Sequence, residues 1–247
     1  MPPPTWIIEQ ARATVFAMPN ATIDYTGWWA PLATTEPDQV NQQPKLGLYQ
    51  ARGHFDDDKD LVLQVKENRI DWYFVPPEDA FERSGFASVG TFPEVLDTFV
   101  TLIQKWLPSC PEASRLALGA VLLQPGTDRS AAYRTLQEYV RAVRLDPNSS
   151  DFLYQINRPR NTQTEIPQLR INRLTKWSVI LLHSLLISPG ESSSTVTDRR
   201  QEFACRLELD LNTSSDFSGP LPSDKLPSLM NELATWAKEI AANGDVE

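Results

Sequence analysis

Apolar positions recur along this chain with two periods, and the switches between them mark its elements. Phe203, Cys205, Leu207, Leu209 and Leu211 alternate with Ala204, Arg206, Glu208, Asp210 and Asn212. Side chains on a strand point to opposite faces in turn, so 203–211 is predicted as a strand buried on one face. Leu61, Leu63 and Val65 share a face in the same way, as do Ile70 and Trp72. Further strands are predicted over 6–16, 48–55 and 151–157. Residues 115–124 are apolar on both faces and predict a central strand. Residues 169–187 predict one long or bent strand, with a helix as the alternative over the apolar second half.

The other period is helical. Leu96, Phe99, Val100, Ile103 and Leu107 recur every three or four residues, as do Leu226, Leu229, Met230, Leu233, Trp236, Ala237 and Ile240. Helices are therefore expected over 92–107 and 225–242. Thr91 is the expected N-cap of the first, with Glu94 at the capping-box position, and Pro108 ends it. Asn243-Gly244 closes the second. A shorter helix over 130–140 turns Tyr133, Leu136 and Val140 inward.

Between these elements, 18–47 reads as a loop-rich insertion, with Pro19, Gly27, Pro31, Pro37 and Pro44, and with Trp28-Trp29 tucked onto the core. Residues 158–168 read as a polar loop. Residues 188–197, rich in Ser and Thr, read as a mobile loop. Strands followed by a helix, twice over, predict an α+β fold. It is mainly an antiparallel sheet of about seven to eight strands, with two long helices and one short helix on one face. Only Pro108 to Ala113 separates the halves, so one domain over 1–247 is expected. Its pseudo-repeat halves, 1–110 and 111–247, would each be a meander-plus-helix unit.

Composition changes this picture mainly by exclusion. The chain has 247 residues and a formal charge of −9, with 41% hydrophobic and 22% charged residues. This is globular composition, and its acidity disfavours a nucleic-acid binder that uses its whole surface. The longest apolar run, Trp177 to Ile187, is 11 residues and is interrupted by Ser178, His183 and Ser184. A membrane helix needs about 20 residues. The start Met1-Pro2-Pro3-Pro4-Thr5-Trp6 lacks a signal peptide's basic and apolar segments. Cys110 and Cys205 are the two cysteines. They exclude a four-sulfur zinc site; with a cytoplasmic location they read as free thiols, a single disulfide between them being the alternative.

His54 followed by Asp56-Asp57-Asp58-Lys59-Asp60 offers carboxylates for a divalent metal and hence a metal-dependent hydrolase. The plainer reading is a solvated hairpin turn, which aspartate favours. Cys110 with His54 or His183 suggests a thiol nucleophile, but Cys110 sits between Pro108 and Pro111 on a helix-end loop, and Cys205 lies on the apolar side of its strand. Ser188-Pro189-Gly190-Glu191-Ser192 matches neither a nucleophile elbow nor a phosphate loop. No catalytic, metal or cofactor site is assigned.

The basic run stands out more. Arg158, Arg160, Arg170, Arg173 and Lys176 carry five positive charges, against Glu165 alone. Pairing of 151–157 with 169–176 would gather these charges near one hairpin end as a partner-binding patch. Tyr154 and Trp177 would add stacking for single-stranded nucleic acid. The plainer reading is charge protection of a sheet edge.

The order of motifs also resembles a known family. Leu63-Gln64-Val65-Lys66-Glu67-Asn68-Arg69-Ile70 is followed by Trp72, the helix at 92–107 and then Arg115-Leu116-Ala117-Leu118-Gly119. A late strand ending Leu207-Glu208-Leu209-Asp210 precedes the last helix. This order, over 48–242, resembles a sporadically distributed bacterial family of about this length whose biochemical function is not established. Residues 18–47 depart from the family pattern, and so does Leu122-Leu123-Gln124 where the family carries Asn-Arg. The resemblance implies a mobile or defence-like genomic setting and a place in a multi-protein antiviral system. The sequence reading is thus a non-enzymatic interaction or regulatory subunit that binds a protein partner. Its alternative is an accessory subunit contacting nucleic acid through 158–176.

Overall fold

Among the described residues, ten strands pair into one antiparallel sheet, in the order β2-β3-β4-β5-β1-β6-β10-β9-β7, with β8 beside β9. The strands are β1 (Ile7–Ala17), β2 (Gln39–Gln43), β3 (Leu48–Asp56), β4 (Lys59–Lys66), β5 (Arg69–Val75), β6 (Ala113–Gly126), β7 (Leu153–Asn157), β8 (Arg160–Asn161), β9 (Arg170–Pro189) and β10 (Ser194–Thr213). Three α-helices accompany them among the described residues: α1 (Glu94–Trp106), α2 (Arg129–Tyr139) and α3 (Leu226–Asn243). This computed structural model describes residues 5–82, 85–146, 148–189 and 194–245, with the side chains of 81–82, 183–189 and 194–200 outside that description.

The predicted class is therefore observed, with ten strands in place of seven or eight. The two extra strands carry no burial signature. All five residues of β2 are exposed, and β8 has two residues. The predicted segment 169–187 is strand from Arg170 on, because β10 pairs with it residue for residue from Ile171 to Pro189 apart from one bulge. Backbone pairing overrides the helical alternative there. It also carries β9 to Pro189 and starts β10 at Ser194, inside the expected loop of 188–197. Residues 190–193 lie outside the described residues.

Burial follows the period-two pattern. On β1, Ile8, Ala11, Ala13, Val15 and Ala17 are buried, and on β10 Cys205, Leu207, Leu209 and Leu211 are. Leu116, Leu118, Ala120 and Leu122 of β6 share that face, since Ala11 stands beside Ala120 and Leu209 beside Ala120 in register. The helices close over this face. Phe99 of α1 meets Phe74 at 5.0 Å between ring centroids, and Trp106 meets Trp72 at 5.8 Å. Tyr139, at the end of α2, stacks on Trp177 at 5.5 Å. Trp28 and Trp29 reach the same core, Trp28 against Trp106 at 5.3 Å and Trp29 against Trp72 at 6.1 Å.

Thr91 does not cap α1. The helix begins after Pro93 without a side-chain cap. Thr91 instead forms a bridge with Ile7, and the neighbouring Phe92 amide donates to Trp6 O at 2.9 Å. The segment before α1 is committed to the start of β1. Asp128 does cap α2, accepting from the Ala131 amide at 2.8 Å.

Outward from the centre, one side of the sheet reads β1, β5, β4, β3 and the other β6, β10, β9, β7. The face opposite the helices carries alternate residues of all these strands.

Candidate functional site

The five cations of 158–176 do not share a face. Period two decides this within β9: Arg173 is buried on the helix side, whereas Lys176, three residues on, points to the uncovered side. The predicted pairing of 151–157 with 169–176 exists, running from Leu153 beside Ser178 to Asn157 beside Leu174. Its charges nevertheless divide. Arg158 grips Asp245 with two donors, Nε to Oδ1 at 2.6 Å and Nη2 to Oδ2 at 2.9 Å. Tyr154 donates to the same carboxylate at 2.7 Å. Arg160 reaches Glu239 of α3 at 3.3 Å. Arg173 stands 3.7 Å from the same Glu239, its guanidinium 5.7 Å from the centroid of the Trp236 ring. Arg170 is exposed.

These pairings shift the groups in consistent directions. The bidentate Arg158 holds the Asp245 carboxyl below the usual carboxylate range, against the opposing effect of burial. The Tyr154 hydroxyl is raised, first by its hydrogen bond to Asp245. Burial, and then the neighbouring Arg160, lower Arg173.

Lys176 belongs to a different place. On the uncovered face, register aligns Gln155, Lys176, Glu208, Val121 and Gln10 in one cross-sheet row. The next row runs Asn157, Leu174, Asp210, Gly119, Arg12 and Tyr73. Between them lies a cleft of about 360 Å³. Gly119 makes room at its floor: a Cβ there would stand 3.3 Å from Arg12 Nη2 and from Leu209 O. The cleft's charges alternate in sign. Lys176 Nζ is 3.0 Å from Glu208 Oε1, and Arg206 Nη1 donates to the same oxygen at 2.7 Å. Arg12 Nη2 stands 4.0 Å from Asp210 Oδ2.

Polar contacts hold these groups from both sides. Asn212 donates to Asp210 at 3.0 Å, and its own carbonyl accepts from Arg115 at 2.9 Å and Asn172 at 3.0 Å. Towards the other half, Thr14 donates to the buried Asp71 at 2.5 Å, and Arg69 grips that carboxylate with two donors. The hydrogen bond to Asp71 raises Arg69, and burial, followed by the Asp71 charge, raises the Tyr73 hydroxyl. Arg12, Asp210, Lys176 and Glu208 nevertheless stay 29–41% exposed in their side chains, so a partner can reach them.

The acidic turn dissolves into local pairs. Asp56 accepts from the Asp58 amide at 3.1 Å and holds Lys59 at 2.6 Å. Asp60 lies in β4 and accepts from Arg52 at 2.8 Å, with His54 3.6 Å away. Among the described residues, no three His, Cys, Asp or Glu side chains converge as ligands for a metal ion. Cys110 and Cys205 are free. Burial pushes the Cys110 thiol up to about 11 and the Cys205 thiol further still, so neither is a ready nucleophile. The side chain of His183 lies outside the described ones.

The sequence reading missed the cleft, although its signal was present. Arg206, Glu208 and Asp210 were the polar half of the clearest alternation in the chain. What it lacked was the neighbour across the sheet, which brings Arg12 and Lys176 beside them. No family model, curated protein or solved structure matches the chain.

Proposed function

We propose that the protein is a non-enzymatic binding subunit that holds a protein partner against the uncovered face of its sheet. The observation that carries this reading is the cleft of alternating charge around Gly119, lined by Arg12 and Lys176 of one sign and Glu208 and Asp210 of the other. Each cation there already faces a carboxylate. A phosphate backbone would have to displace or repel those carboxylates, at a desolvation cost. A polypeptide segment carrying both signs meets the pattern without that conflict. Among the basic run, Lys176 is the residue we assign to partner contact. Arg158, Arg160 and Arg173 serve the β9–α3 junction, whereas Arg170 is exposed and shares the strand parity of Leu174 and Lys176.

The family resemblance supports a bacterial setting in a multi-protein defence system. The matching strand order on the two sides of the sheet supports a duplicated meander-plus-helix unit, with α2 as an addition to the second half.

The test is position-specific photo-crosslinking in the native host. A photoreactive side chain at Leu174, in the cleft, should give a discrete adduct with one protein. The same group at Thr98, on the outer side of α1, should not. Adducts from Thr98 alone, or identical adducts from both positions, would contradict the reading.

A further inference from the structure

One edge of the sheet is open. β2 ends the strand order and pairs with β3 alone among the described residues. Its outer row of backbone amide and carbonyl groups is therefore a template for a further strand. Charged side chains, an internal proline or a bulge ordinarily guard such an edge. Gln39-Val40-Asn41-Gln42-Gln43 has neither charge nor proline, and it pairs with β3 without a register shift. All five residues are exposed. Val40, and Leu46 in the turn that follows, are large hydrophobic residues left exposed at this edge. The opposite edge, by contrast, carries Arg158 and Arg160 at β7 and β8.

We propose that β2 pairs antiparallel with β2 of a second copy of this chain, in a register centred on Asn41. The sequence of the strand is complementary to itself in that register. Gln39 meets Gln43, Val40 meets Gln42, and Asn41 meets its own counterpart. Residues 39, 41 and 43 exchange among themselves, as do 40 and 42, so the backbone groups match whichever alternate set points outward. On one face amide side chains meet amide side chains, each able to donate and to accept. No like charges stand opposite one another, the arrangement that would destabilise such a pair. Beyond the strand, the same register brings the exposed Lys45 of each copy towards the exposed Glu36 and Asp38 of the other. Opposite charges thus meet at both ends of the pairing. Pro37 and Pro44 lack an amide donor and stop the ladder on either side.

A second copy uses up the edge of both chains, so the assembly closes as a two-fold dimer and does not propagate. The axis of an antiparallel pair stands perpendicular to the sheet, and both copies turn the same face outward. The cleft around Gly119 begins at β1, beyond β3, β4 and β5, and stays open. The dimer therefore presents two clefts on one side, but its formation does not depend on the partner-binding reading of that face.

Self-association and register are tested separately. Light scattering on the full chain across a concentration series should show the mass rising from one chain to two, as expected of a small interface. Asn41→Lys sets two lysines opposite each other and should weaken this association about tenfold or more. Its Tm should stay that of wild type, because the side chain is exposed. Directly opposed residues have Cα atoms about 4.5–5.5 Å apart, within the span of a disulfide. Asn41→Cys should therefore give a disulfide-linked dimer under mild oxidation. Gln43→Cys meets Gln39 and not its own counterpart, and should not; nor should wild type, with Cys110 and Cys205 alone. If the lysine variant does not fold, the two cysteine variants still decide. The mass of one chain at every concentration, association untouched by Asn41→Lys, or equal crosslinking from both cysteine positions would overturn the proposal.

Discussion

Asp245 shows how much one buried carboxylate fixes in this fold. Its side chain is 3% exposed, and it receives Arg158 twice and Tyr154 once. Because Arg158 holds its carboxyl below the unfolded value of about 3.9, its stabilisation is fully present above that value. It is lost as pH falls through the lower, folded value. Asp245→Asn should therefore cost about 1.5–3 kcal/mol at pH 7, the worth of hydrogen bonds to a charged group. The gap to wild type should close below about pH 4, as urea midpoints across a pH series would show. A gap constant down to pH 2.5 would assign the effect to packing. The residue before it is equally constrained. Gly244 has φ +81°, and a Cβ there would stand within 3 Å of three Tyr139 backbone atoms. Gly244→Ala should destabilise by at least the 1–3 kcal/mol, roughly, of such a backbone conformation, and chemical denaturation measures it.

At the scale of elements, the alternation of apolar and polar residues carried most of the fold into the sequence. Leu207 and Leu209 are 0% and 4% exposed, as their alternation required. Leu207→Ala should cost about 2–5 kcal/mol in equilibrium unfolding. The strands that escaped notice, β2 and β8, bury too little to leave a pattern. Thr91 was misread because the capping signature at 91–94 competes with a backbone bridge to Ile7, which only the tertiary structure supplies. The division of the basic run between two faces was illegible for a simpler reason. Counting charges over 158–176 ignored the two-residue period that sends Arg173 to the helices and Lys176 to the opposite face. Charge reversal of Arg158, Arg160 and Arg173 to Glu would place three carboxylates beside Asp245 and Glu239. Breaking a buried pair costs about 3–5 kcal/mol, so the triple variant should unfold at least that much more readily. A Tm within two or three degrees of wild type, roughly the effect of 1 kcal/mol at this size, would contradict the assigned pairing.

At the scale of the whole molecule, the helices take one face of the sheet and leave the other to charged and polar rows. In the proposed reading, that division leaves stability to the helix side and recognition to the uncovered side. The most direct test is a charge swap in the cleft, read on the protein that crosslinks to Leu174. Lys176→Glu should weaken its binding tenfold or more, a loss of about 1.4 kcal/mol, and should lower Tm slightly by setting two carboxylates side by side. The double variant Lys176→Glu with Glu208→Lys restores the internal pair but presents the reversed pattern. The account predicts that Tm recovers in the double variant while affinity does not. Recovery of both would show that Lys176 and Glu208 matter only to each other, and would contradict a partner-reading role for this face.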